Sequence, residues 1–547
     1  CLWGYREGVG FLCRYHTRPG SHIVGLLLSS WGCLASDPGR YFHVAPPFCH
    51  SWILTLSFFL PFHHRDILKS GGTAVDAAIA GLICTSVMNP QSSGLGGGVI
   101  FTIYNASTGT VEVINARETV PRADDLLGVT LPFCPSGSHW IAVPGELRGY
   151  EEAHKRYGRL PWKALFEPTI KLLSEPLVIS PVLDKMIHHP AFSSPGKSLW
   201  FLKRGETFRW PALQQTLRAV AENGAAAFYE GQIGKALVDD IKKAGSISLE
   251  DLQAYKAEVS SALNITLNNH TTVFSPGPPM GGAVLMFILK ILEGKFLRGK
   301  GEQELCRVET YHRIAEALKF GNMLKPHMSD PAFSEAQVSW RAVQGSRIDT
   351  RGDHPLNHYN LFESLYNNSY KSKGTSHISV LAADGSAVSA TSTINYPFGS
   401  FVYSNQTGII LNNELADFCI SHMGGITLSA SALGEKPPSA MVPSILISKT
   451  GDMLVIGGAG GARIISAIIN KLWFGYDLEH AISAPIMHTE NDNILFEEHF
   501  SEVSGLLRSL LGSSSKFAMN VVQGISKEGK CISAYSDKRK LGKSAGY

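Results

Sequence analysis

From Gly71 onward the hydrophobic positions follow two alternating periods. Residues 73–88 (TAVDAAIAGLICTSVM) are small and apolar, which predicts a buried helix with Thr73 as its N-cap. Asn89-Pro90 ends it, because the residue before a proline is pushed out of the α region. Two runs rich in β-branched residues, 99–104 (VIFTIY) and 110–116 (TVEVINA), read as strands joined by a turn through Asn105 and Gly109. Residues 145–157 and 306–321 carry the spacing of amphipathic helices. Two hairpins follow. The first pairs 376–382 with 386–394 across Asp384-Gly385, a pair suited to a tight turn. The second pairs 442–448 with 453–457 across Gly451-Asp452, then enters Gly457-Gly458-Ala459-Gly460-Gly461 and a helix from Arg463 to Trp473. The pattern is that of an α/β protein without internal repeats.

Two stretches break the pattern. Residues 1–64 hold three of the nine Trp, six of the twenty His and four of the nine Cys, but no Lys. Their apolar runs, 23–35 and 51–62, are each shorter than the roughly 20 residues that span a bilayer. Residues 346–374 are polar and irregular, as in an exposed loop where cleavage is easiest, and include Arg351-Gly352-Asp353, read as a chance match to an integrin tripeptide.

Composition narrows the function. Hydrophobic residues are 44% and charged residues 17% of the 547, so a sizeable core is expected. The net charge of +3 supplies no field for nucleic acid, and that class is set aside. No CxxC pair suggests zinc, and the adjacent pairs His63-His64 and His188-His189 point their side chains apart; no metal or cofactor is expected. Sequons at Asn105, Asn264, Asn269, Asn367 and Asn405 are compatible with glycosylation and secretion.

Candidate chemistry lies in three places. The loop Gly94–Gly98 precedes a strand rather than following one, and its spacing is not that of a dinucleotide site. Gly457–Gly461 stands at a strand-to-helix junction, where backbone N–H groups can stabilise an oxyanion or where glycine simply permits close packing. Glu414 and Asp417 are three apart, on one face if helical, and either hold an ammonium group or cap a helix. Arg117, ending a strand, either grips a carboxylate bidentately or forms a structural ion pair. Cys84 lies in an apolar helix and reads as core or disulfide.

The order of these features carries a resemblance. GTSHISV (374–380) followed by DGSAVSATSTIN (384–395) closely resembles the gamma-glutamyltransferases, N-terminal-nucleophile hydrolases made as one chain and cut autocatalytically. The likeness runs from Arg65 to Tyr547 through NPQSSGLGGGVIFTIYN (89–105), INARETVP (114–121), VPGELRGYEEAHKRYGRLPW (143–162), NNELADF (412–418) and SAGY (544–547). STINYPFG (392–399), with Pro397 where the general enzyme has tyrosine, and PSILI (443–447) resemble the type-five, leukotrienase branch.

The resemblance implies a four-layer αββα sandwich, cut into a large subunit 65–374 and a small subunit 375–547. It makes Thr375 the nucleophile, Thr393 its positioning partner, and Gly460 and Gly461 the oxyanion hole. Arg117 and Ser439 would bind the α-carboxylate of a γ-glutamyl group, and Asn395, Glu414 and Asp417 its α-amino group. The expected substrates are glutathione and glutathione S-conjugates, including leukotriene C4. The acyl group would pass to water or to an acceptor amino acid or dipeptide. A type II single-pass membrane protein with an extracellular catalytic part is implied.

Two departures stand out. Ser439-Ala440 replaces the two adjacent serines usual in the family. Residues 1–64 do not match the anchor, opening strand and helix of family members, which removes the expected disulfide partner of Cys84. The rival is an uncleaved, non-catalytic surface protein of the same fold, opposed by the retained Thr375, Thr393, Arg117, Glu414 and Asp417.

Overall fold

The computed structural model describes residues 52–55, 61–122, 130–131, 137–188, 203–241, 247–296, 303–324, 328–333, 374–422, 425–428, 432–459, 461–490, 493–497, 500, 512–515, 521–540 and 542–546. Two sheets form its centre. Their strands are β1 (Trp52–Thr55), β2 (Gly98–Asn105), β3 (Thr110–Ala116), β4 (Glu258–Ser261), β5 (Leu263–Thr266), β6 (Thr272–Ser275), β7 (Gly374–Leu381), β8 (Ala387–Asn395), β9 (Ser444–Ile447), β10 (Met453–Ala459), β11 (Val521–Glu528), β12 (Cys531–Ser536) and β13 (Lys543–Gly546). The first sheet has the order β13-β1-β7-β8-β2-β3-β4, and the second β12-β11-β10-β9-β6-β5.

Helices cover both outer faces. Against the first sheet lie α1 (Ala74–Met88), α2 (Glu146–Tyr157), α3 (Trp162–Leu172) and α4 (Pro211–Asn223), whose Ile79, Leu147, Phe166 and Leu217 share a core with Phe101 and Ile378. Against the second lie α5 (Gly282–Phe296), α6 (Gln303–Leu324), α7 (Gly461–Leu472) and α8 (Leu478–Ser483), where Leu285, Ile314 and Ile468 meet Leu446 and Val522. Leu381, Ile445, Val455 and Ile525 pack between the sheets. The result is the four-layer αββα sandwich that the family likeness implies.

Local sequence explains the elements. Thr73 caps α1 in a reciprocal box: its hydroxyl accepts from Asp76 N at 3.1 Å, and the Asp76 carboxylate accepts from Thr73 N at 2.9 Å. The chain leaves the helix at Asn89, as Pro90 requires. β7 and β8 are buried on both faces, so their residues divide by parity. Ile378, Val380, Val388 and Ala390 face the helices. In the alternate positions, Thr375 pairs with Thr393, His377 with Thr391 and Ser379 with Ser389, and Ser389 Oγ donates to Ile456 O of the second sheet at 3.0 Å. A register irregularity falls between Gly374 and Thr375.

Three details differ from the sequence reading. The turn between β7 and β8 holds three residues rather than two: Ala382 and Ser386 close it, and Gly385 takes φ +88°. β1 falls within the segment 1–64 that composition set apart, yet it pairs antiparallel with β7 on one side and β13 on the other. β10 runs on past residue 457, where the sequence reading ended it, to include Gly458 and Ala459. Cys84 is a free thiol in the core, its pKa pushed up to about 12 by burial. Asn367, Gly460 and Arg351-Gly352-Asp353 lie outside the described residues.

In the loop Gly94–Gly98, backbone crowds Gly96, Gly97 and Gly98. A Cβ at Gly97 would stand 2.0 Å from Thr393 O, and one at Gly96 would stand 2.2 Å from Ile410 O. Gly97→Ala is therefore expected to destabilise the protein by about 1–3 kcal/mol or more, read from urea denaturation. A variant as stable as the parent would show that the loop can move aside.

Candidate active site

Thr375 and Thr393 face each other across the β7–β8 ladder, their hydroxyl oxygens 3.3 Å apart and both buried. Thr393 Oγ1 also donates to Gly374 O at 2.7 Å and accepts from Asn395 N at 2.9 Å. The bond between Gly374 and Thr375 thus carries a hydroxyl on its carbonyl oxygen and a second hydroxyl on its own threonine. Asn395 ends β8 with φ 69°, a left-handed conformation that asparagine tolerates. Its Nδ2 donates to Asp417 Oδ1 at 3.0 Å and to Asn413 O at 3.3 Å.

Glu414 and Asp417 belong to a 3₁₀ turn, Glu414–Phe418. In that conformation residues i and i+3 eclipse, so both carboxylates project from one face. They meet Arg117, which leaves the end of β3. Arg117 Nη1 is 2.7 Å from Glu414 Oε2 and 3.5 Å from Glu118 Oε2; Nη2 is 2.6 Å from Asp417 Oδ2. Nε and Nη2 donate to the carbonyls of Pro437 and Pro438, each at 3.2 Å. Each nitrogen of the guanidinium thus has at least one hydrogen-bond acceptor, and Glu414 adds a close ion pair.

Asn412 fastens the carboxylate turn. Its Oδ1 accepts from Ala142 N at 3.0 Å and Glu414 N at 2.9 Å, while Nδ2 donates to Gly96 O at 2.7 Å and Ala142 O at 2.8 Å. Ser439 follows Pro438; its N donates to Pro279 O at 2.8 Å, and its Oγ accepts from Met441 N at 3.2 Å. Ala440 is exposed beside the start of α7, where a Cβ on Gly461 would come within 3.1 Å of Ala440 O. The structure thus gathers Thr375, Thr393, Asn395, Glu414, Asp417 and Arg117, with Ser439 and Gly461 on adjoining backbone.

The site is crowded with negative charge. Burial, Glu118 and Asp417 hold Glu414 well above the usual carboxyl range against the pull of Arg117. Asp417 is raised chiefly by burial, with Arg117 opposing. Burial would lower Arg117, but Glu414, Glu118 and Asp417 outweigh it and hold the guanidinium above its ordinary value. Sequence reasoning missed two further acids. Burial raises Glu118 to about 7, with Arg117 opposing. Glu146, at the start of α2, is raised to about 8 by burial, although the Tyr150 hydroxyl donates to it at 2.5 Å. The signal for Glu118 was its place beside Arg117; Glu146 reads in sequence as an ordinary first-turn acid.

Two stacked sheets between helices, with hydroxyls at the head of a central strand, define the class: this is the fold of the N-terminal-nucleophile hydrolases. A solved cephalosporin acylase from Bacillus halodurans shares it, with a TM-score of 0.76 at 21% identity over 94% of this chain and 99% of that one. Residues 64–547 match the family described as Gamma-glutamyltranspeptidase. The chain is 48% identical over 521 residues to Glutathione hydrolase 5 proenzyme of Rattus norvegicus, covering 88% of this chain and 90% of the relative. It is 47% identical over 534 residues to the Homo sapiens protein of that name, with the same coverages of 88% and 90%. The chain belongs to the gamma-glutamyltranspeptidase family and is similar to its glutathione hydrolase 5 branch.

The buried acids set a pH dependence of stability. Glu146 has an ordinary value of 4.5 and a folded value of about 8, so the folded state binds more protons than the unfolded state between them. Stability therefore falls as pH rises through that window. Glu118 acts in the same direction between 4.5 and about 7. His377, lowered by burial from 6.5 to about 3, acts oppositely, but only below 6.5. Glu414, held well above the carboxyl range, and Asp417, also raised, act in the same direction, so Glu146 supplies one share of the fall between pH 7 and 8. Glu146→Gln should lessen the loss of Tm there, measured by thermal melts in a pH series.

Proposed function

We propose that the chain is a γ-glutamyl hydrolase and transferase that cleaves glutathione and its S-conjugates, leukotriene C4 among them, through a threonine acyl-enzyme. The observation that carries this reading is the pair of threonines at Gly374, with Thr393 donating to the carbonyl of Gly374 at 2.7 Å. In the first step Thr375 Oγ attacks the carbonyl carbon of Gly374. Charge develops on the oxygen that Thr393 already hydrogen-bonds, where a donor is most effective. The C–N bond then breaks to an ester with a free α-amine on Thr375, and water releases Gly374 as a carboxylate. The cut separates the large-subunit part, 65–374, from the small subunit, 375–547.

The new α-amine, with an ordinary pKa near 8, is the base that a weakly acidic threonine hydroxyl needs. Thr375 Oγ attacks the γ-carbonyl of the substrate, and backbone N–H groups of Gly460 and Gly461 receive the oxyanion. Expulsion of the amine, which takes up a proton, leaves a γ-glutamyl ester. Water yields glutamate; an acceptor amino acid or dipeptide yields the transfer product.

Arg117 and Ser439 take the α-carboxylate of the substrate. Asn395, Glu414 and Asp417 take its α-ammonium. Arg117 is already paired with Asp417 and Glu414, so the guest exchanges into an existing ion pair. A zwitterion does this without stranding a charge: its carboxylate replaces theirs on Arg117, and its ammonium supplies the cation they lose.

The same reading places the catalytic part outside the cell, on a single-pass anchor. Supporting it, Asn264, Asn269 and Asn405 are exposed and Asn105 is partly so. Among the described residues no helix is long and apolar enough to cross a membrane.

Purified protein should run as two pieces on a denaturing gel, with a new N-terminus at Thr375, and should release glutamate from a γ-glutamyl anilide. Thr375→Ala is expected to stop both; a folded Thr375→Ala protein that is still cut and active would overturn the reading. Ala440→Ser restores a hydroxyl beside Ser439. It should lower KM for the donor about five- to tenfold if that hydroxyl bonds the carboxylate, the equivalent of about 1–1.4 kcal/mol.

A further inference from the structure

Two residues beyond Thr375, on the same face of β7, His377 fills the space between the sheets. Its ring is fully buried, with Nδ1 2.8 Å from Thr391 Oγ1 and Nε2 2.9 Å from Ser379 Oγ. It lies flat against Gly457 of β10. A Cβ at Gly457 would stand 2.3 Å from His377 Cε1, 2.6 Å from Nδ1 and 2.8 Å from Nε2. Position 457 is glycine because the imidazole occupies its side-chain space.

The contact belongs to a series. Ser379 Oγ is 3.5 Å from Val455 O, Ser389 Oγ donates to Ile456 O at 3.0 Å, and the His377 ring sits on Gly457. The two-residue step along β7 from Ser379 to His377 is thus matched by the step along β10 from Val455 to Gly457, toward its C-terminal end. The next row on the first sheet is Thr375–Thr393, and two residues beyond Gly457 β10 ends at Ala459, shortly before Gly461 opens α7.

We propose that His377 is a positioning residue for the chemistry: its ring sets the spacing of β7 and β10 and so holds the glycine-bearing end of β10 against Thr375. This rests on the reading of Thr375 as nucleophile and of the Gly460–Gly461 backbone as oxyanion donor. The ring has no exposed edge, and both nitrogens are engaged by hydroxyls, so it cannot itself reach a substrate. Burial lowers its pKa to about 3, so it stays neutral at working pH, with one nitrogen donating and the other accepting. A buried, neutral, doubly hydrogen-bonded ring is a spacer of fixed thickness. Oxyanion stabilisation is the step that needs such a spacer, because a misplacement of about 1 Å can cost on the order of a hundredfold in rate.

A size exchange tests this on the processed enzyme. His377→Ala should lower kcat about 10- to 100-fold while KM for a γ-glutamyl anilide stays within about twofold, because the Arg117 clamp is built from other segments. Gly457→Ala, which drives a methyl group into the ring, should lower kcat in the same way. In the double variant the methyl enters the space the ring has left. Its kcat should exceed the product of the two single effects by at least about fivefold. Full kcat in His377→Ala, a parallel loss of kcat and binding, or strictly multiplicative single effects would each overturn the inference. Should His377→Ala fail to fold, Gly457→Ala and the double variant carry the same comparison. Thr375→Ala separates the two levels. If that variant stays active, the functional reading itself fails; if it is dead while His377→Ala keeps full kcat, only the spacer fails.

Discussion

The buried guanidinium of Arg117 ties together segments that are far apart in the chain. It leaves the end of β3 and meets Asp417, 300 residues away, and the carbonyl of Pro437, 320 residues away. A charge this deeply buried is tolerated only when its donors are satisfied, and removing one partner of such a pair typically costs about 3–5 kcal/mol. Each of the three segments is thereby held in register by the others. The proposed substrate clamp and a long-range constraint on the fold are the same set of contacts. This arrangement favours a guest that is itself a zwitterion, since a lone carboxylate would displace Asp417 or Glu414 and leave it buried without a cation.

A second constraint is the burial of β7 and β8 on both faces. A strand covered by helices on one side and a sheet on the other is usually apolar throughout. Here the helix side departs from that rule at Ser376 and Ser392, and the other side departs from it further. The side between the sheets carries Thr375, His377, Ser379, Ser389, Thr391 and Thr393, whose polar groups bond across the hairpin or to carbonyls of the second sheet. The sheets are joined here by hydrogen bonds as well as by packing, which fixes register more strictly than methyl contacts do. Hydroxyls with the roles proposed for Thr375 and Thr393 need that strictness.

These two constraints explain what could be read from sequence. The capped helix α1, the paired strands β2 and β3 and the β7–β8 hairpin are local, and their boundaries follow from Thr73, Pro90, Gly109 and Gly385. The eclipsed pair Glu414 and Asp417 was legible from spacing, although the segment is 3₁₀ rather than α-helical. What sequence did not reveal depends on distant chain. Nothing near Trp52 indicates that β1 pairs with both β7 and β13, and nothing near Glu146 indicates its burial beside Tyr150. The glycines of β10 invited a reading as an anion nest; two of them are there because His377 and Val521 O occupy the space of a side chain. The roles assigned to Thr375, Thr393 and Arg117 came from family likeness, because spacing alone left each open.

The hydrogen bonds around Thr393 suggest how one hydroxyl serves two reactions. Asn395 N–H donates to Thr393 Oγ1, so one lone pair is occupied and the hydroxyl proton must find its own acceptor. In the intact chain that acceptor is Gly374 O, which polarises the bond to be cut. If the bond breaks as proposed, Gly374 becomes a separate C-terminus and this acceptor can leave. Thr375 Oγ1, 3.3 Å from Thr393 Oγ1, is then the neighbour that remains to receive the proton. Self-cleavage would thus redirect Thr393 from the scissile carbonyl to the nucleophile without moving a strand. The left-handed turn at Asn395 serves both states, because it aims the N–H at Thr393 while the side chain reaches Asp417. One backbone conformation thereby links the orientation of the proposed nucleophile to the charge of the proposed substrate clamp.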